Sequence, residues 1–338
     1  MKMWGILPVL LLMAYPYVTR SQTLGGNAAY NFLKFSPSPQ LTALGGVNVS
    51  NFSRDISLSF QTPSLLRKEM TKTFSGNFTS FYAGIKNVHA LAGYYKENWA
   101  TSFSFGVDYF HYGMTTQTDA SGNVMGEFRP NDYSIQLSAS RKYMEKWYYG
   151  ASFKFISSYY GQYSSNAIAL DFGLNYYDSA SLFQVGFTAR NMGMQLKTYG
   201  GTGEDMPFDL DLGITKRLKG SPFQFSITAQ RLQTFNLVYD DTTYNADNGV
   251  SGAKNGFFNK LIQHFLFATQ VYAGDKLEFS LGYNVLRRAE LSVANNSTGL
   301  TGFSFGAGLL LKKFQFRYSR SQYQSSAGIN QVGINLQF

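Results

Sequence analysis

The chain has 338 residues, a net charge of +9, no cysteine, and only 14% Asp, Glu, Lys and Arg, against roughly 25% in an average soluble domain. The missing cysteines exclude disulfides, thiolate metal sites and thiol nucleophiles, and no run of 18 apolar residues follows the leader, so no transmembrane helix is expected. Thirty Phe, 24 Tyr and 33 Gly at a mean hydropathy of −0.18 fit a chain that crosses a membrane with strands.

Residues 1–22 read as a signal peptide, with Lys2 as the basic start, Ile6 to Met13 as the apolar segment and Ser21-Gln22 as a small, polar exit. The mature chain is expected to begin near Gln22 or Thr23. Residues 23–70 have a different texture. Gly25-Gly26, Pro37, Pro39, Gly45-Gly46 and Pro63 interrupt short mixed runs, a density suited to turns and short helices. This segment is expected to be a hatch or plug, tucked inside or under a barrel built from 71–338.

From Thr73 onward, fourteen strands are expected near 73–85, 87–95, 99–110, 132–141, 147–157, 166–177, 182–192, 207–217, 222–231, 262–273, 275–285, 302–311, 313–320 and 329–338. Their lengths suit tilted strands that cross a bilayer. Between Thr101 and Tyr109 the residues Phe103, Phe105, Val107 and Tyr109 alternate with Ser102, Ser104, Gly106 and Asp108. The last strand sets Val332, Ile334, Leu336 and Phe338 against Gln331, Gly333, Asn335 and Gln337, an ending suited to barrel closure. A period of two with one apolar face means that each side of the strand meets a different solvent. Asp108, Lys154, Asp171, Arg190, Asp209, Asp211, Glu278 and Arg317 all fall on the polar phase. A Lys or Arg on the lipid side would cost up to ~2–4 kcal/mol at the midplane, so these charges are assigned to the lumen. The fold class is therefore all-β: a transmembrane antiparallel barrel of about 14 strands with a short N-terminal hatch.

Joins after even-numbered strands are short, at 96–98, 142–146, 178–181, 218–221, Gly274 and Lys312. Those after odd-numbered strands are long, at 111–131, 158–165, 193–206, 232–261, 286–301 and 321–328, with 86–87 the exception. Bacterial barrels keep short turns in the periplasm, which puts both termini there and the protein in the outer membrane. Trp99, Trp147, Tyr148, Tyr149, Tyr176 and Tyr177 cluster near the short turns, where such rings anchor at headgroups. Arg141-Lys142, Lys146, Lys216-Arg217, Lys219 and Lys312-Lys313 at one rim, and Lys254, Lys260 and Arg287-Arg288 at the other, are expected to meet phosphates of outer-membrane lipids and lipopolysaccharide. No basic stripe interleaved with exposed aromatics points to nucleic acid.

Chemistry is not signalled. His89, His111 and His264 are far apart and none has a second ligand at a metal spacing. No catalytic, cofactor-binding or metal residue is assigned. Asp209 and Asp211 share one strand face, which would suit paired carboxylates but fits a lumenal ion-pair network more simply. In the long loop 232–261, Asp240-Asp241 and Asn245 to Gly249 precede Phe257 and Phe258, which offer an aromatic contact to a partner.

Three blocks carry a family resemblance: Tyr30-Asn-Phe-Leu33, Pro37 through Leu44-Gly45-Gly46, and Asp55 through Pro63-Ser-Leu-Leu66. They resemble the opening of FadL-like barrels and, more closely, the PorQ family of the Bacteroidota type IX secretion system, related to PorV. Related sequences commonly read Asn-Pro-Ala where this chain has Thr62-Pro63-Ser64. The resemblance implies a non-enzymatic outer-membrane component of the surface attachment complex. It would hold a PorZ-like partner beside the PorU–PorV sortase pair, which matures cargo and links it to lipopolysaccharide. The alternative is a FadL-like passive transporter of hydrophobic small molecules. A transporter requires an apolar path through the lumen, whereas an anchor tolerates a lumen filled with paired charges.

Overall fold

A computed structural model describes residues 28–51, 53–237, 256–291, 299–323 and 328–338. The leader at 1–22, Asp240, Asp241, the stretch from Asn245 to Gly249, and Lys254 lie outside the described residues. The strands in chain order are β1 (Thr73–Ser80), β2 (Lys86–Lys96), β3 (Thr101–His111), β4 (Thr115–Thr118), β5 (Val124–Phe128), β6 (Asn131–Tyr143), β7 (Trp147–Tyr160), β8 (Tyr163–Asp178), β9 (Phe183–Lys197), β10 (Asp209–Arg217), β11 (Phe223–Ala229), β12 (Phe265–Ala273), β13 (Leu277–Asn284), β14 (Phe303–Leu310), β15 (Phe314–Gln322) and β16 (Gly328–Gln337). All but β4 and β5 form a closed antiparallel barrel of fourteen strands.

Closure is made by the strand whose alternation is cleanest. Register between β1 and β16 sets Phe74 opposite Leu336 and Phe78 opposite Val332, while Ser75 faces Asn335 on the other phase. Apolar side chains of both strands therefore share the lipid face, and the seam pairs without a break from Thr73 opposite Gln337 to Ser80 opposite Asn330, as hydrocarbon demands. The same division holds in β3, where Ser102, Ser104 and Asp108 are buried while Phe105 and Tyr109 stand exposed outside.

The loop ends depart from expectation. The join expected at 158–165 is a two-residue turn, because β7 and β8 continue pairing up to Tyr160 opposite Tyr163. Gly161, at φ +66°, supplies the left-handed residue that so tight a turn requires. The 111–131 join holds the β4–β5 hairpin, and two other long joins carry short helices at Phe257–Ile262 and Val285–Leu291. The first strand stops at Ser80, since Tyr82–Gly84 forms a helical turn with Ala83 at φ 58°.

Residues 31–70 fold inside the barrel as short helices at Asn31–Lys34, Pro39–Ala43, Ile56–Phe60, Pro63–Leu65 and Lys68–Met70. Pro39 and Pro63 each open a helix, where the missing N–H would have no partner anyway. Leu41, Leu58 and Leu65 make a small apolar core of the hatch, and Ile56, Phe60, Leu66 and Met70 pack on Leu91 of β2. Gly93, Gly150, Gly186 and Gly282 of the wall admit the hatch backbone. A Cβ on Gly186 would stand 1.9 Å from the Val49 carbonyl oxygen, and one on Gly282 2.5 Å from the Leu44 carbonyl carbon. These lumenal glycines leave room for main chain to touch main chain.

Candidate functional site

The lumen is closed by ion pairs and by the hatch. Lys154 on β7 lies 2.6 Å from Asp171 on β8 and donates to Asn191 Oδ1 at 2.9 Å. Asp171 sits at a register break between β8 and β9, where Asn191, at φ 58°, turns its backbone N–H onto the carboxylate at 2.8 Å. Arg190 bridges Asp209 at 3.3 Å and Asp211 at 2.8 Å, so the two carboxylates of β10 share one guanidinium. Arg317 reaches Glu278 at 3.5 Å and, at the same distance, Asp55 of the hatch. Asp108 accepts from Asn87 Nδ2 at 2.6 Å and has no cation within ion-pair distance among the described residues.

All eight strand charges assigned to the lumen from the alternation are buried inside the barrel, and seven of them are ion-paired. Asp55, which lies outside the alternating strands, joins this network from the hatch. It is the sole acid between residues 24 and 66, and that isolation marks it in the sequence. It caps the helix at Ile56–Phe60 by accepting from the Ser57 N–H at 3.0 Å and also accepts from Asn335 Nδ2 at 2.9 Å. Seven of the eight strand charges are buried with a partner, as the cost of an unpaired buried charge requires, about 3–5 kcal/mol when one partner is removed, and Asp108 is met by the neutral Asn87 amide.

Arg287 corrects the reading of the rim. Expected among cations that meet lipid phosphate, it is buried instead, donating to the Gly45 carbonyl at 2.8 Å and to Ser304 Oγ at 3.0 Å, and to Ser321. The helix at Val285–Leu291 turns the side chain inward over the hatch. Phe257 and Phe258 begin the helix at Phe257–Ile262 and are 63% and 81% exposed, with Phe257 5.6 Å from Phe235. Trp99, Trp147 and Tyr149 are exposed near the short turns. Within the described residues no three His, Asp or Glu gather as a metal site.

Above the hatch, at the loop end, a cavity of about 520 Å³ is lined by Phe35, Val47, Phe81, Leu286 and Tyr323 together with Lys34, Arg231 and Arg287. Arg231 pairs with Glu290 at 3.3 Å, whereas Lys34 has no carboxylate within ion-pair distance among the described residues. Burial lowers the Lys34 ammonium below its ordinary range and Arg231 adds to this, while Asp209 and Glu290 oppose it. Lys34 also lines a neighbouring cavity of about 540 Å³ between Met192 and Phe208. There β9 has passed the register break and β10 has not yet begun at Asp209, so the two strands have parted.

No protein-family profile matches the chain, and no curated protein sequence does. Among solved structures, the CymD monoaromatic hydrocarbon channel aligns with 92% of this chain and 99% of its own at 11% identity and a TM-score of 0.51. The TodX deltaS2S3 mutant monoaromatic hydrocarbon channel aligns with 88% of this chain and 97% of its own at 10% identity and a TM-score of 0.52. A Pseudomonas aeruginosa FadL homologue aligns with 89% of this chain at 10% identity and a TM-score of 0.45. The chain shares the β-barrel fold of the CymD and TodX channels, which are outer-membrane-type barrels.

Proposed function

We propose that the protein is a hatch-gated outer-membrane barrel that takes up small hydrophobic molecules, with both termini in the periplasm and the long loops outside. The observation that carries this reading is the half-apolar cavity above the hatch, beside the gap between β9 and β10. CymD and TodX, whose fold this chain shares, are monoaromatic hydrocarbon channels. With its lower lumen filled by ion pairs, the barrel needs movement of the hatch before cargo can pass. Lys34 at the cavity wall suits a molecule that carries an acidic end, which would give the half-buried ammonium a counter-charge. Purification from the native membrane followed by mass spectrometry of bound lipids tests the proposal. Recovery of a hydrophobic acid with wild type, and its loss with Lys34→Gln, supports it; a barrel carrying no such molecule and inert in liposome uptake overturns it.

A second reading is favoured by the closure of the lumen itself. Pairs such as Arg317 with Asp55 and Glu278 lock the hatch to the wall, as suits a static anchor. On this reading, in keeping with the PorQ resemblance, Phe257 and Phe258 dock a surface protein of the type IX secretion system, a PorZ-like partner beside the PorU–PorV pair. Affinity capture of the tagged barrel from its own membrane separates the two readings. Co-recovery of one large surface protein, lost in Phe258→Ser, supports the anchor.

A further inference from the structure

Five residues far apart in sequence meet at the loop end. Tyr30 belongs to the hatch, Tyr112 follows β3, Asp132 is the second residue of β6, Tyr160 ends β7, and Tyr199 lies in the 198–208 connection. Their side chains line a cavity of about 440 Å³ that is distinct from the two above, with Glu204 at its edge. Ring centroids are 6.0 Å apart for Tyr112 and Tyr160, 5.9 Å for Tyr160 and Tyr199, and 6.4 Å for Tyr30 and Tyr199. Tyr160 and Tyr199 stand at 69° to each other, so the rings form walls of a cup and not a flat platform.

The floor of this cup is anionic. Asp132 is buried and accepts hydrogen bonds from three hydroxyls, those of Tyr112, Ser158 and, at 3.0 Å, Tyr160. No Lys, Arg or His of the described residues lies within ion-pair distance of it, unlike Asp171, Asp209 and Asp211 in the lumen. Neutral donors stabilise a carboxylate without cancelling its charge. A phenol that donates to an anion gains electron density in its ring, which deepens the negative face that attracts cations. Burial raises the Tyr112 phenol above its ordinary range and Asp132 beside it adds to this, so the phenol stays a donor.

We propose that Tyr30, Tyr112, Tyr160 and Tyr199 around Asp132 bind an organic cation bearing a methylated ammonium group. The aromatic walls meet the methyl groups, which cannot donate hydrogen bonds and so do not compete for the hydroxyls already committed to Asp132. An anion is repelled by Asp132 and Glu204.

Isothermal titration of the full chain in a maltoside detergent, which has no cationic headgroup, tests the site with choline as probe. Its neutral tert-butyl isostere, in which carbon replaces the nitrogen, is the control. Choline is expected to bind saturably and the isostere at least about tenfold more weakly, as the cation–π contribution requires. Asp132→Asn and Tyr199→Leu should each weaken choline by about tenfold or more, and Tyr199→Phe should not, since it keeps the ring. Heat-modifiable migration on gels verifies that each variant is folded, and if Asp132→Asn is not, the Tyr199 pair decides. No saturable choline binding, equal binding of the isostere, or equal affinities of Tyr199→Leu and Tyr199→Phe overturns the proposal.

Discussion

Asn335, on the strand that closes the barrel, donates its side-chain amide to the Asp55 carboxylate of the hatch at 2.9 Å. The plug is thus fastened to the seam. Arg317 on the neighbouring strand reaches the same carboxylate at 3.5 Å, so one hatch acid answers both a neutral donor and a buried cation. Asp55→Asn should lower stability by about 3–5 kcal/mol, the usual cost of breaking a buried pair. Asn335→Ala should cost about 1–3 kcal/mol, because it removes the hydrogen bonds to Asp55 and Gln315 but no ion pair. The temperature at which the folded band converts to the unfolded band on gels ranks the two, and a milder effect for Asp55→Asn would show that Arg317 is satisfied by Glu278 alone.

Arg190 holds two carboxylates, and its removal leaves both buried without a cation. Arg190→Met should therefore destabilise the barrel by about 3–5 kcal/mol, whereas the triple change Arg190→Met, Asp209→Asn, Asp211→Asn should recover most of that loss. Chemical unfolding of the detergent-solubilised barrel measures both. A triple variant as weak as the single would mean that packing, and not charge, is at stake.

Gly186 admits the Val49 carbonyl to the wall, and any Cβ there collides with main chain at 1.9 Å. Gly186→Ala should displace the hatch and raise single-channel conductance in planar bilayers above that of wild type. Gly200, with open space around its Cβ position, is the control and should leave conductance unchanged when made Ala.

Phe305 points at lipid, and its neighbour Ser304 is wholly buried beside Arg287. Phe305→Arg should cost about 2–4 kcal/mol near the midplane, and Phe305→Leu much less. Alternation alone suggests that Ser304→Arg is the harmless counterpart. The Arg287 guanidinium excludes that, because a second cation would share its space, and assembly assays should find both arginine variants impaired.

Much of the fold could be read locally. Period-two alternation in β3 and β16, eight charges on a single phase and the Gly- and Pro-rich texture of 23–70 are properties of neighbouring residues, and they set the fourteen strands and their facing. Tertiary structure alone decided which charges meet. Asp55 finds Arg317 and Asn335 only because the hatch sits at one depth in the barrel, and Arg190 spans two carboxylates only because β9 and β10 pair in one register. The burial of Arg287 and the tyrosine cup around Asp132 are of the same kind. A strand's solvent is written in adjacent side chains, but a contact between residues 30 and 199 or 55 and 335 exists only after the sheet has closed and its interior has been filled.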